Sequence, residues 1–199
     1  MELLCCNYTF NYGGGANPVL VVTSIVSAFA AIFALWVSYQ NNIKNLNAKK
    51  QEEEKKEIQK RLDEFYGPFY QLRKKSHLIY EKFRENYNSD SDFSTLTYLL
   101  DGKKFSKNEE ELLNEIIKIG EECEKLIHSK AGLIDDTNLR TNIIPRASTH
   151  FLILRLAHKG SLIGDVEKFK SHVFPKELDD LLEKRRGELE QDLIKLNKI

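Results

Sequence analysis

Five histidines, at 77, 128, 150, 158 and 172, are the residues whose type first suggests acid–base or metal chemistry. None belongs to a His-Glu-x-x-His pattern, and Cys5, Cys6 and Cys123 form no Cys-x-x-Cys pair, so zinc finds no ordinary ligand spacing. His150 and His158 stand two helical turns apart, which puts them on one side of a helix in a structural or surface role. Asp135-Asp136 resembles the acid pair that opens a helix; without a second acidic cluster it makes no magnesium site. Gly132, Gly160 and Gly164 are loop glycines rather than a phosphate loop, and no serine lies in a Gly-x-Ser-x-Gly elbow. Cys123 is an ordinary helix residue on an apolar face. The expectation is a chain without catalytic, cofactor-binding or metal residues; an enzyme stays open only through groups that converge from distant positions.

The bulk composition narrows the partners. The 199 residues carry 30 basic and 30 acidic side chains, and a net charge of zero gives no support for direct nucleic-acid binding, which calls for a basic surplus. Three cysteines build no disulfide framework. The length suits one domain, with or without a small appendage.

Residues 19–39 hold no charged side chain, and as a helix they would extend about 31 Å. That length predicts a transmembrane helix, with Trp36 and Tyr39 as interfacial anchors. The first 18 residues contain no Lys or Arg, whereas 40–61 contain seven, which predicts a short N-terminal tail outside and a C terminus in the cytoplasm. Ser24, Ser27, Ala28, Ala31, Ala34 and Ser38 recur at helical spacing. Such a seam of small residues favours self-association of membrane helices. The expected organisation is a tail over 1–18, a single N-terminal transmembrane helix over 19–39, a charged helical stalk over 40–64 and a cytoplasmic helical domain over 65–199.

The remainder reads as all-α. In the stalk, Ile43, Leu46 and Ile58 make an apolar face too thin for sustained coiled-coil heptads, while pairs such as Glu52 and Lys56 support helicity. Leu62, Phe65, Phe69, Leu72, Ile79, Phe83 and Tyr87 then mark a helix face, interrupted by Gly67-Pro68, where the missing proline N–H predicts a kink or a restart. The aromatics on either side read as the first core residues of the packed domain. Ser106 and Glu109 form a capping box ahead of a broad apolar face from Leu112 to Ile127. Residues 148–160 are the central helix of the domain, or a short strand. A last helix starts at Pro175, with Leu178, Leu182, Arg185, Leu189, Leu193 and Leu196 on its face. Together these predict a small helical bundle. The basic runs at 73–75 and 184–186 suit anionic lipid headgroups, but neighbouring glutamates make a solvated helix face the better account.

The order of apolar run, charged helix and Phe65-Tyr66-Gly67-Pro68-Phe69-Tyr70 junction resembles a class of small bacterial membrane proteins that enter a helical domain at a Phe-Tyr-x-Pro-x-Tyr-like step. The class includes transmembrane effectors of antiphage systems such as retrons. The resemblance covers roughly residues 19–85. It implies a single-pass inner-membrane effector or accessory protein of antiviral defence, acting on the bilayer when activated. It also implies the lipid bilayer and a cytoplasmic protein or nucleoprotein as partners. The alternatives are a non-catalytic membrane tether and a membrane-recruited enzyme.

Overall fold

The computed structural model describes residues 18–87 and 93–198, and the side chains among these except those of 18–22, 24 and 25. Every regular element among the described residues is helical. Helix α1 runs Pro18–Arg61, followed by a π turn at Leu62–Tyr66, α2 at Gly67–Arg84 and a 3-10 turn at Glu85–Tyr87. Next come α3 at Thr95–Leu100, α4 at Lys107–Lys130, a 3-10 turn at Ala131–Leu133 and a second π turn at Leu139–Ile143. Helices α5 at Ile144–His158, α6 at Val166–Phe169 and α7 at Glu177–Leu196 complete the chain. The all-α expectation holds, and 148–160 is helix rather than strand. The chain divides into two units, Met1–Glu52 and Glu53–Ile199, and the division falls inside α1.

The first unit corrects the membrane reading. Among the described residues no helix is long and apolar enough to cross a membrane. A bilayer core of about 30 Å asks for some 20 apolar residues. From Gln40 helix α1 turns polar, with Asn41, Asn42, Lys44 and Asn45 in succession around Ile43. The transmembrane helix over 19–39, the inner-membrane location with its outside N terminus, and the bilayer as partner are therefore overturned. Self-association through a membrane helix, the antiviral effector reading and both membrane-bound alternatives fall with them. The resemblance to small bacterial membrane proteins fails at the segment that defined it. Residues 1–17 lie outside the described residues.

In the second unit, two proline-linked π turns set the helix directions. Pro68 and Pro145 each occupy the first turn of a helix, α2 and α5, and each follows a five-residue π turn. A proline ring inside an α-helix collides with the carbonyl four residues back and offers no N–H to it. Widening the preceding turn by one residue relieves both problems. The bond that marks the wide turn is made by the residue before each proline: Gly67 N–H donates to the Leu62 carbonyl, and Ile144 N–H to that of Leu139. The interruption expected at Gly67-Pro68 is thus a π turn that carries one helix into the next.

Two apolar clusters fill the unit. The larger joins Ile58 of α1, Phe65, Tyr66 and Phe69 of the first π turn and α2, Ile119, Cys123 and Ile127 of α4, Phe151 of α5, and Leu178, Leu182 and Leu189 of α7. The smaller gathers Phe83, Leu96, Leu99, Leu100, Leu113 and Leu154, with Tyr80, Phe93 and Phe105 packed against it. Ring contacts knit its rim: Tyr87 stacks on Phe93 at 4.0 Å and Tyr98 on Phe105 at 4.5 Å between centroids. The capping box closes the start of α4, with Ser106 N–H donating to Glu109 Oε2 at 2.8 Å. Asn86 donates to the other Glu109 oxygen at 3.1 Å, tying the chain after α2 to α4. Gly160 and Gly164 turn the chain after α5 with φ of 77° and 91°, a region that favours glycine.

Candidate ligand-binding cavity

One face of α2 carries Arg73, Ser76, His77, Tyr80 and Arg84, residues that helical periodicity brings into line. Facing them, α4 presents Leu113, Ile116, Ile117 and Gly120 and α5 presents His150, Phe151 and Leu154. Phe93 to Leu96 and Val173 to Phe174 complete most of the lining of a partly open cavity of about 610 Å³. Gly120 admits Phe151 to this wall, since a Cβ there would come within 3.2 Å of its ring.

Polar groups are rare in the core, and most of them meet here. Arg73, Ser76 and Thr95 are 8%, 5% and 8% exposed, and all three line the cavity. Arg73 is matched: its Nε and Nη2 donate to the two Asp179 oxygens at 2.8 and 3.1 Å, and its guanidinium lies 4.0 Å from the Phe174 ring centroid. Thr95 Oγ1 and Arg84 Nε are different. Both atoms are buried without a hydrogen-bond partner among the described residues. Arg73 and Arg84 stand eleven residues apart on one helix, about 16 Å along its axis. Of the two guanidinium groups that line the cavity, that of Arg73 is therefore matched by a carboxylate and that of Arg84, among the described residues, is not, while Lys176, also in the lining, is exposed.

His150 Nδ1 lies 2.7 Å from the His172 carbonyl oxygen. A carbonyl only accepts, so Nδ1 carries the proton and Nε2 is the acceptor of the neutral ring. Burial pushes the His150 pKa down, partly opposed by that hydrogen bond, and the Arg73 charge lowers it further. Asp179 is the one carboxylate among the lining residues, against the cations Arg73, Arg84 and Lys176. A chain neutral overall thus has a cavity with a positive excess.

The residues singled out in the sequence fall elsewhere. Trp36 and Tyr39 are exposed on α1, as are Ser27, Ala28, Ala31, Ala34 and Ser38, while Ser24 lies outside the residues whose side chains are described. At the junction, Phe65, Tyr66 and Phe69 are fully buried, Gly67 and Pro68 form the turn, and Tyr70 packs beneath the Arg186 guanidinium at 4.4 Å. Asp136 caps the turn that leads into α5, its Oδ1 accepting from Leu139 N–H at 2.7 Å. His158 pairs with Glu110, separately from His150. Cys123 is buried in the larger cluster, and desolvation pushes its thiol up to about 12, so it holds no thiolate for chemistry. The basic runs are largely matched by acids: Arg73 with Asp179, Lys74 with Glu183, Arg185 with Asp135.

Among the described residues no group of three or more His, Cys, Asp or Glu is placed to hold a metal ion. No family model matches the chain, and no curated protein or solved structure matches it either. Sequence reading missed Arg84, Thr95 and Ser76. The signal for Ser76 and Arg84 was the second face of α2, which reads as solvated because its residues are mostly polar.

Proposed function

We propose that residues 53–199 form a non-catalytic binding domain that holds a small, apolar-bodied molecule between α2, α4 and α5. The supporting observation is the pairing of a cavity of about 610 Å³ with buried, unpartnered polar atoms on Thr95 and Arg84. That volume lies in the usual range for small-molecule sites, which combine apolar walls with a few polar groups. Each buried polar atom left without a partner costs about 1–3 kcal/mol, and a ligand that supplies the partner recovers it. Holding rather than turnover fits the lining. Ser76 and His150 both face the cavity, yet no hydrogen bond joins them, and His150 Nδ1 is engaged by a carbonyl rather than a carboxylate.

A neutral fluorophore, N-phenyl-1-naphthylamine, tests occupancy without reference to charge. The full chain is expected to bind it saturably, and Ile117→Trp, which fills the cavity, is expected to remove that component while far-UV circular dichroism stays unchanged. Identical titrations of the two proteins would overturn the proposal.

A further inference from the structure

The two ends of the cavity are not equivalent, and the difference specifies the ligand. At the Arg73 end, Asp179 takes two hydrogen bonds from the guanidinium and Phe174 covers its face, so that charge is already answered within the protein. At the other end, Arg84 has no carboxylate partner among the described residues, and the Thr95 hydroxyl beside the same cavity is unpartnered while 8% exposed. The acids nearest in sequence are committed elsewhere: Glu81 faces His77, and Glu85 faces Lys82. Glu109, from α4, accepts from Asn86 and from the Ser106 N–H. A guanidinium offers five donors in a planar fork suited to carboxylate and phosphate oxygens. A threonine hydroxyl can donate one more. Between the ends, Ile116, Ile117, Leu113 and Leu154 provide an apolar wall.

We infer that the ligand is an amphiphilic anion, with a carboxylate or phosphate head at Arg84 and Thr95 and an apolar body along Ile116, Ile117 and Leu154. The inference rests on the cavity reading above and adds the sign and place of the head group. It also accounts for the buried, unpartnered Thr95 hydroxyl, which costs stability in the free protein and would gain its partner from a ligand oxygen.

The test is displacement of N-phenyl-1-naphthylamine from the full chain by four molecules with one eight-carbon body: octanoate, octyl phosphate, octanamide and octylamine. Octanoate or octyl phosphate is expected to displace the probe at least about tenfold better than octanamide, the size of one charge-assisted hydrogen bond. Octylamine is expected to be weakest. The order of the two anions decides between a carboxylate and a phosphate head. Arg84→Met is expected to bring octanoate down to the level of octanamide, each displacement being read against that variant's own titration with the fluorophore. Thr95→Val is expected to weaken the anions several-fold and to raise the thermal midpoint of the free protein. Equal displacement by octanoate and octanamide, or an anion preference that survives Arg84→Met, overturns the head-group assignment with the cavity intact. Failure of the fluorophore to bind at all removes the cavity reading itself.

Discussion

The Asp135 carboxylate accepts from three side chains drawn from three stretches of chain. Tyr66 Oη donates at 2.6 Å from the first π turn, Arg61 Nη1 at 2.9 Å from the end of α1, and Arg185 Nη2 at 2.6 Å from α7. Burial alone would raise its pKa, but the hydrogen bonds from Arg185 and Tyr66 and the charges of Arg185 and Arg61 outweigh it and hold the group at about 2, below its ordinary 3.8. A pKa lowered by folding means that the ionised form favours the folded chain. This stabilisation is fully present above about pH 3.8 and is lost as pH falls through about 2. The shift corresponds to roughly 2 kcal/mol. Asp135→Asn leaves Arg61 and Arg185 facing one another without their acid, and is expected to cost about 3 kcal/mol at pH 7. Urea midpoints measured from pH 2 to 5 check both statements: the wild type should fall more steeply with acid than the variant, and parallel curves would contradict the assignment. Arg185 occupies a slot on an otherwise leucine face of α7, so its partner had to be an acid brought from another element; the sequence showed the slot but not the acid.

At the scale of elements, the π turns explain a glycine. A Cβ added at Gly67 would stand 2.8 Å from the Leu62 carbonyl oxygen, a backbone atom that cannot swing aside. Ile144 holds the equivalent place in the second π turn and tolerates a side chain with ψ near −43°, whereas Gly67 has ψ near −59°. Helix propensity alone says that Gly67→Ala should stabilise by up to about 1 kcal/mol. The fully buried Phe65, Tyr66 and Phe69 around the turn leave little room to relax, so a loss of about 1–3 kcal/mol is expected instead. Gly187→Ala in α7 is the control, since a Cβ there meets nothing within 4 Å, and it should gain up to about 1 kcal/mol. Chemical denaturation of the two variants checks the opposite signs. The same elements show what linear pattern could carry. Phe65, Phe69 and Phe83 announced the core face of α2, and Ser106 with Glu109 announced the start of α4, because these signals are local. The cavity face of α2 was silent: Arg73, Ser76, His77, Tyr80 and Arg84 look like a solvated stripe until α4 and α5 are known to stand opposite. The apolar run at 19–39 was equally plain in composition, yet among the described residues no helix is long and apolar enough to cross a membrane.

At the scale of the whole molecule, the packing locates the border of the domain. The sequence pattern ends the stalk at residue 64, because Lys and Glu dominate up to the Phe-Tyr-Gly-Pro junction. In the structure Ile58 is already buried against the larger cluster, Leu62 is packed on it, and Arg61 bridges to Asp135. Lys130 reaches back to Glu64 at 2.7 Å. The last turns of α1 are therefore part of the core, hidden in the sequence because one isoleucine among charges carries little pattern. Every residue of both buried clusters lies at or beyond Ile58, so a fragment of 53–199 keeps all of them. A unit of about 150 residues buries close to 70% of the surface its unfolded chain exposes, enough for independent folding. The fragment 53–199 should unfold in one cooperative transition and should bind N-phenyl-1-naphthylamine through the Ile117-dependent site as the full chain does. The fragment 65–199 loses Ile58, Leu62, Arg61 and Glu64 together, and is expected to be less stable by several kcal/mol from the cavity left by Ile58 alone plus an Asp135 short of one partner. Urea midpoints of the two fragments decide the border: equal stability would return it to residue 65, and a large deficit in the shorter fragment would place it within α1.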